Sequence, residues 1–193
     1  MIGLRLVAAV GAMLFACATM VVARGDDPRS IALVDQSGAV FRLADLRGRP
    51  ALLTFIATRC TDACPLANAA FQRLRAQLRR DRVRARLVTI TLDPAYDSPF
   101  VMSKLARSLD ADPRDWVFAS GPPASVHRLM RSLGVVASTG VRGVPDVHTT
   151  FVYVLDRRTR LAREMLLSAD IVNPAEQAVS DRGAVVGTTN DGK

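Results

Sequence analysis

The sequence contains few histidines and cysteines, and this shortage narrows the chemistry open to it. Only His127 and His148 can supply imidazole, and the three cysteines are Cys17, Cys60 and Cys64. A closed structural zinc site needs a full tetrahedral set of cysteine or histidine ligands in one place. Two neighbouring cysteines and one histidine fall short of that set. The six methionines are scattered, so the chain has no methionine-rich metal-binding tract.

Lysine is almost absent, although the chain is strongly basic. Of 26 lysine and arginine residues only Lys104 and Lys193 are lysine, and the formal net charge is +8. A run of arginines follows one predicted helix: Arg73, Arg75, Arg79, Arg80, Arg82, Arg84 and Arg86. A solvated helix face is the simplest interpretation, and docking on anionic lipid or an acidic partner is the alternative. The arginines have no interleaved aromatic residues and no nucleic-acid-binding motif, so we expect no nucleic-acid partner.

Length and composition indicate one globular domain with a hydrophobic segment ahead of it. The chain has 193 residues, of which 49% are hydrophobic and 23% charged. Strand and helix patterns alternate, which predicts an α/β fold. We expect a signal sequence or membrane anchor at 1–25, a linker at 26–30, the domain at 31–180 and a disordered tail at 181–193.

Residues 2–23 are apolar except for Arg5 and Thr19. A helix of this length can cross a hydrocarbon layer of roughly 30 Å. A signal sequence cut near Ala23 and a lipoprotein signal with lipid on Cys17 are the alternatives. We favour a retained anchor, because the apolar run is longer than a signal core of about 7–15 residues. An exported domain also suits a thiol pair that cycles with oxidant.

The most informative stretch is residues 58–65, Thr-Arg-Cys-Thr-Asp-Ala-Cys-Pro, between a predicted buried strand at 51–57 and a long helical pattern. Proline suits the first helical position, which predicts Cys64 at the N-cap or just before it. The positive end of the helix dipole would then lower the cysteine pKa and favour the thiolate. Four-residue spacing places Cys60 and Cys64 about one turn apart, close enough to form a disulfide or bind one ion.

Three explanations of this pair remain open: inert or disulfide-bonded structural cysteines, a thiol–disulfide exchange pair, and a soft-metal site. Exchange enzymes usually carry C-x-x-C rather than C-x-x-x-C. A metal site needs a further ligand, and His148 is the better candidate because it precedes the predicted strand 151–155. His127 lies in a helical pattern, where a solvated or packing role is expected. Two thiolates and one imidazole suit Cu(I), zinc or an iron–sulfur cluster.

Two carboxylates follow the second predicted core strand, 87–92. In α/β sheets, ligand groups gather at the carboxyl ends of strands, so Asp93 and Asp97 are candidates to lie near the thiols without contacting an ion. Equally, they could be turn formers and caps ahead of a helix that starts at Ser98 and Pro99.

Three segments together resemble the Sco/SenC family of copper-binding, thioredoxin-like proteins. They are residues 33–65, the segment Asp-Pro-Ala-Tyr-Asp-Ser-Pro at 93–99, and the histidine-led strand at 148–156. The resemblance covers roughly residues 31–170 in the family's order. The family usually has proline directly after the first cysteine, where this chain has Thr61. The resemblance implies a thioredoxin-like three-layer α/β fold with an N-terminal β-hairpin, here preceded by the hydrophobic helix.

The same resemblance implies a function. Cys60, Cys64 and His148 would bind a copper ion, and the protein would be a metallochaperone for the dinuclear copper centre of cytochrome c oxidase. Its partners would be the copper-bearing oxidase subunit and other exported copper or thiol proteins. The domain would lie in the periplasm at the bacterial inner membrane.

Two other functions remain open. The protein could be an exported thiol–disulfide reductase, with Cys60 and Cys64 as its catalytic redox pair, acting on copper-site or other protein cysteines. It could also be a non-catalytic module that docks through its arginines.

Overall fold

The computed structural model describes residues 27–61, 63–139, 143–146, 150–168 and 170–180. The predicted signal or anchor with Cys17, the ligand candidate His148 and the tail at 181–193 lie outside the described residues. In the described part of the chain, no helix combines the length and hydropathy needed to cross a bilayer.

Seven strands form the main sheet, in the order β2-β1-β5-β4-β3-β8-β9. The central strands β3, β4 and β5 are parallel, and the remaining pairs are antiparallel. The strand bounds are β1 Leu33–Asp35, β2 Val40–Phe41, β3 Ala51–Ile56, β4 Arg86–Thr91, β5 Trp116–Ser120, β6 Ser138–Thr139, β7 Pro145–Asp146, β8 Phe151–Leu155 and β9 Leu161–Leu166.

Helices cover both faces of the sheet. They are α1 Ala63–Arg80, α2 Pro99–Ser108, α3 Pro123–Ser132 and α4 Val172–Val179. One hydrophobic core contains Phe71 of α1, Met102 of α2 and Ala175 of α4, whereas the other contains Val126 and Leu129 of α3. Helices α1, α2 and α4 therefore lie on one face and α3 on the other, and the predicted three-layer α/β architecture is confirmed.

The predicted N-terminal hairpin is also confirmed. Strands β1 and β2 are antiparallel, with Leu33 opposite Phe41. Gly38 in the connecting turn has φ +86°, a backbone conformation that glycine adopts without steric cost. Strand β1 continues the sheet by pairing with β5.

The predicted start of the first helix is wrong by two residues. Helix α1 begins at Ala63, so Cys64 lies in its first turn rather than at the N-cap, and Pro65 is the third helical residue. The first-turn N–H groups have no partner inside the helix, so proline is tolerated beyond the first position.

The segment 135–147, which is turn-rich in sequence, contains a second, two-stranded sheet. Strands β6 and β7 are antiparallel, with Ser138 opposite Asp146. Each strand has two residues, too few for a hydrophobic alternation to predict them.

Parallel pairing of β3 and β4 fixes the position of the candidate site. Ile56 at the end of β3 is in register with Thr91 at the end of β4. The loop that carries Cys60 and the loop that carries Asp93 and Asp97 therefore leave the sheet at the same edge, as the sequence predicts.

Candidate metal and thiol site

The two cysteines lie together where β3 leads into α1. Both are partly exposed, and both are thiols in the described structure. The side chains of Cys60 and Cys64 share a hydrogen bond. The backbone N–H of Ala57 donates to Cys64 Sγ at 3.3 Å. The sequence prediction that the two sulfurs share one site is consistent with this arrangement.

The predicted lowering of the cysteine pKa is wrong for Cys64. Burial of the thiol raises the pKa of Cys64 to about 12, and the hydrogen bond with Cys60 and the charge of Asp97 act in the same direction. The N–H of Ala57 lowers this pKa by a smaller amount. Desolvation of the thiolate therefore outweighs the favourable dipoles at the start of the helix.

Both cysteines open onto a cleft of about 300 Å³ between α1 and α2. The end of β3 and the following loop form its floor, and Leu105 and Leu109 of α2 form an apolar wall. The α1 wall includes Asn68 and Gln72. The full lining is Ile56, Ala57, Thr58, Cys60, Cys64, Pro65, Asn68, Ala69, Gln72, Leu105 and Leu109. A partner group therefore has a route to the sulfurs.

Asp97 is fully buried and holds the loop that carries Cys60. Its carboxylate accepts hydrogen bonds from the Thr58 N–H at 3.0 Å, from the Thr58 hydroxyl, and from the Thr91 hydroxyl at 2.8 Å. The Ser120 hydroxyl donates to the Asp97 carbonyl oxygen. These bonds satisfy a buried carboxylate and fix the chain two residues before Cys60.

Asp93 contacts the next residue of the same loop. Arg59 Nη2 lies 2.6 Å from Asp93 Oδ2, and the guanidinium stacks 4.5 Å from the centroid of the Tyr96 ring. Arg59 Nη2 also donates to the Gly143 carbonyl oxygen at 3.4 Å. The hydrogen bond with Asp93 raises the pKa of Arg59 above its usual value. Arg59 thus joins the cysteine loop, the aspartate loop and the segment 143–146.

The structure describes only one of the two histidines. His127 is exposed on α3, as expected for a solvated helix residue. His148 lies outside the described residues, so its role as a ligand stays a prediction. Within the described ranges, no cluster of three or more histidine, cysteine or acidic side chains forms a metal site.

Three of the predicted surface arginines have partners within the fold. Arg75 and Arg79 pair with Asp115 at 3.1 and 2.5 Å, and Arg86 Nη2 donates to the Pro113 carbonyl oxygen at 2.8 Å. These contacts secure the chain that enters β5. Part of the proposed docking face therefore has a structural role.

Sequence analysis missed four residues of the site: Thr58, Arg59, Asn68 and Thr91. For Asn68 a signal was present, because it lies four residues after Cys64 and therefore on the same side of α1. Its Oδ1 is buried and has no hydrogen-bond partner among the described residues. The bonds from Thr58 to Asp97 and from Arg59 to Asp93 join residues 39 and 34 positions apart, for which the local sequence holds no signal.

A family model described as SCO1/SenC matches residues 28–179. The chain belongs to the SCO1/SenC family. A SCO2-like protein of Rickettsia prowazekii is 32% identical over 140 residues, which cover 70% of this chain and 67% of that protein. The chain spans about half the length of two other curated relatives, 50% and 45%.

Solved structures share the fold. Copper-bound ScoI of Bradyrhizobium japonicum superposes with a TM-score of 0.64 at 24% identity, covering 77% of this chain and 96% of that one. BsSco has a TM-score of 0.68 at 20% identity, with 80% and 91% covered. It is described as a member of the Sco family of cytochrome c oxidase assembly proteins that has a disulfide switch. The predicted thioredoxin-like fold of the Sco/SenC type is therefore confirmed.

Proposed function

We propose that this protein binds copper through Cys60, Cys64 and His148 and delivers it to the copper-bearing subunit of cytochrome c oxidase. The observation that carries the proposal is the pair of adjacent thiols at an open cleft. Membership of the SCO1/SenC family and the fold shared with copper-bound ScoI support it.

The donor set fits copper. Thiolate sulfur is a soft ligand that selects Cu(I), and two sulfurs one helical turn apart can bind one ion. Copper favours the thiolate, so binding overcomes the raised pKa of Cys64 and releases protons. Oxidation of Cys60 and Cys64 to a disulfide would remove both sulfur ligands and release the ion.

The chain on both sides of His148 supports its assignment as the third ligand. On one side, Gly143 accepts a hydrogen bond from Arg59, the neighbour of Cys60. On the other side, the Thr54 hydroxyl of β3 donates to the Phe151 carbonyl oxygen at the start of β8 at 3.1 Å. Both anchor points belong to β3 or to the loop that follows it.

The test is copper stoichiometry and Cu(I) affinity of the reduced full-length chain in detergent. We expect a single bound ion. His148→Ala should lose at least about tenfold in affinity, equivalent to about 1.4 kcal/mol, and His127→Ala is the matched control that should lose none. Unchanged affinity in His148→Ala would remove this residue from the ligand set. Absence of binding to the unmodified protein would end the copper proposal.

A thiol–disulfide reductase is the second candidate function, favoured by two thiols close enough to share a hydrogen bond. With the pKa of Cys64 raised to about 12, Cys60 would attack first and Cys64 would resolve the mixed disulfide. Insulin reduction and mixed-disulfide trapping test this function. Fast turnover without copper binding would favour it over the metallochaperone, and loss of trapping in Cys60→Ser but not in Cys64→Ser would identify the attacking sulfur.

We further propose that the domain lies in the periplasm, attached to the inner membrane through residues 1–25. A thiol pair that must be reduced to bind metal and can be oxidised to release it suits an oxidising compartment. Intact mass of protein recovered from membranes distinguishes the anchor from cleavage near Ala23 and from lipid on Cys17.

A further inference from the structure

The end of the main sheet opposite the thiol site is strongly basic. Ala51 at the start of β3 is in register with Arg86 of β4 and with Leu155 at the end of β8. Leu87 of β4 is in register with Trp116, the first residue of β5. The segments that precede β3, β4 and β5 and follow β8 therefore share one end of the sheet, which we name the basic end: residues 47–50, 79–86, 110–115 and 156–160. They contain eleven arginines and five aspartates, whereas the formal net charge of the whole chain is +8.

Hydrogen bonds hold these segments together. The Gly48 N–H donates to the Arg157 carbonyl oxygen at 2.8 Å, and the Arg86 N–H donates to the Pro50 carbonyl oxygen at 2.9 Å. Arg86 also reaches the segment before β5, because its Nη2 donates to the Pro113 carbonyl oxygen at 2.8 Å. Nine of the eleven arginines are exposed. The basic end is therefore a fixed array of accessible positive charges.

The thiol end of the sheet has the opposite charge. In the loops described there, 57–61, 92–98, 121–122 and 143–146, three aspartates accompany the single arginine Arg59. Strand β3 has six residues, so the two ends are separated by about 20 Å, at about 3.3 Å per residue. This separation is about twice the screening length in 0.1 M salt. A flat anionic surface would therefore attract the basic end and turn the thiol end away.

Arg82 supplies a positive charge where the backbone favours glycine. It follows the end of α1 with φ +56°. The Val83 N–H donates to the Leu78 carbonyl oxygen at 2.9 Å, and the Arg82 N–H donates to the Arg79 carbonyl oxygen at 3.3 Å. This is a Schellman motif, in which the left-handed residue is usually glycine. The exposed arginine is strained at this position, which points to a use for its charge outside the fold.

The chain enters the domain beside the basic end. Residues Pro28–Ser30 pack against Leu43–Leu46, the segment that directly precedes Arg47. The hydrogen bond with Asp27 and, more weakly, the charge of Asp156 raise the pKa of Arg29, so Arg29 lies near the 156–160 turn. The predicted anchor at 1–25 therefore ends within a few residues of this end of the sheet. A domain held by that anchor has its basic end toward the bilayer.

We propose that the basic end docks on the anionic phospholipid headgroups of the membrane that holds residues 1–25, and that docking directs the thiol cleft away from the bilayer. This inference rests on the proposed attachment through residues 1–25. Guanidinium groups bind phosphate oxygens through two parallel hydrogen bonds. Each arginine near an anionic surface strengthens docking about fivefold. The entry of the chain at this end favours a membrane over an acidic protein as the occupant.

The test uses the full-length protein in lipid nanodiscs and the single tryptophan of the chain, Trp116, as a fluorescence energy donor. Trp116 begins β5 and therefore lies at the basic end. The acceptor is a trace lipid with a dansyl headgroup. Energy transfer should be stronger in discs that contain phosphatidylglycerol than in discs of phosphatidylcholine alone. Salt at about 1 M, where the screening length is about 3 Å, should remove the difference.

The triple variant Arg82→Gln, Arg84→Gln and Arg158→Gln removes three exposed charges of the basic end. Its docking equilibrium should weaken about a hundredfold, at about fivefold for each arginine. Energy transfer in the anionic discs should then fall to the level seen in neutral discs. Arg82→Gly is the second variant and should weaken docking about fivefold. Its melting temperature should not fall, because glycine relieves the strain at positive φ.

The matched control is the triple variant Arg42→Gln, Lys104→Gln and Arg128→Gln. It removes the same charge from exposed positions outside the basic end and should transfer energy as the unmodified protein does. An equal loss of transfer in both triple variants would overturn the proposal, because net charge alone would then explain the attraction.

The two kinds of disc separate docking from anchoring. If the protein does not enter neutral discs but transfers energy in anionic ones, the anchor fails and docking stands. If it enters both discs and transfers energy equally, docking fails, the anchor stands, and the basic end is left to an acidic protein. Association with neither disc would overturn both proposals.

Discussion

The two sides of the thiol site are held by different interactions. On the buried side, Cys64 lies against the Ala57 N–H, and Asp97 is fixed by Thr58 and Thr91. On the more exposed side, Arg59 is partly exposed, pairs with the largely buried Asp93 and stacks on the exposed Tyr96. When a buried hydrogen bond is lost, water cannot replace the missing partner. Where solvent reaches an ion pair, water can take the place of either partner. We infer that the buried side sets the position of the cysteine loop and that the exposed side adjusts it.

The largest expected effect concerns Cys64, whose burial defines the buried side. In Cys60→Ser, alkylation of Cys64 by iodoacetamide at pH 8 should be more than about a hundredfold slower than that of a free cysteine, because so little thiolate is present. Mass spectrometry of quenched samples gives the rate. A rate near that of a free cysteine would show that the surroundings of Cys64 do not suppress its thiolate.

The same thiol contributes to the pH dependence of stability. Its folded-state pKa of about 12 lies above the ordinary value of 9.0. The contribution is therefore present below about pH 9 and is lost as the pH rises toward 12. Urea unfolding of Cys64→Ser should lack this alkaline component.

Asp97→Ala should have the next largest effect. It leaves the Thr58 N–H and two hydroxyl groups without their acceptor, which should lower the free energy of unfolding by roughly 3 kcal/mol. Urea denaturation measures this loss. Copper affinity should also fall, because the loop that carries Cys60 loses its anchor. A loss of unfolding free energy below about 1 kcal/mol would contradict the inference that the buried hydrogen bonds hold the cysteine loop in place.

Thr91→Val should cost about 2 kcal/mol. The Thr91 hydroxyl donates to Asp97 and accepts the Asp93 N–H at 2.8 Å, so valine removes two hydrogen bonds at nearly constant shape. Ser98→Ala, which removes a single weak helix-cap bond of 3.4 Å at an exposed position, is the control in the same loop. An equal loss of unfolding free energy in both variants would show that the buried hydrogen bonds stabilise the protein no more than the exposed helix cap does.

Arg59→Ala should have the smallest effect on stability, below that of Thr91→Val, because the Arg59 side chain is 33% exposed, so water screens its pairing and reaches Asp93 once the side chain is truncated. Salt should reduce the difference between this variant and the unmodified protein further. Urea midpoints at low and high salt check both statements. A loss as large as that of Asp97→Ala would abolish the distinction between the two sides.

The elements that carry the site were predictable because their patterns are local. The helical pattern that follows the cysteines is confirmed, because apolar residues at helical spacing are the buried residues of α1: Ala67, Ala70, Phe71, Leu74 and Leu78. Strand β3 is buried along its whole length, as its continuous apolar run indicates. The carboxyl ends of parallel strands lie at the same edge of a sheet. The sequence therefore also predicted that the aspartate loop adjoins the cysteine loop.

The electrostatics of the site were not predictable in the same way. The helix start suggested a thiolate, but burial in the folded protein raises the pKa of Cys64 instead. Two residues that line the same cleft, Leu105 and Leu109, are about 40 residues away in sequence. Asp97 could equally have capped a helix, and its bonds to Thr58 depend on the register of β3 and β4. Long-range packing thus determined which of several local tendencies prevailed.

The bond from the Ala57 amide to Cys64 Sγ makes the backbone itself a reporter of the sulfur's state. Nitrogen-15 and amide-proton chemical shifts of this single group should respond separately to thiol, disulfide and metal-bound sulfur. Because Ala57 is fully buried, its amide is shielded from direct contact with solvent. Loading and discharge of the protein could then be followed by magnetic resonance without any added dye.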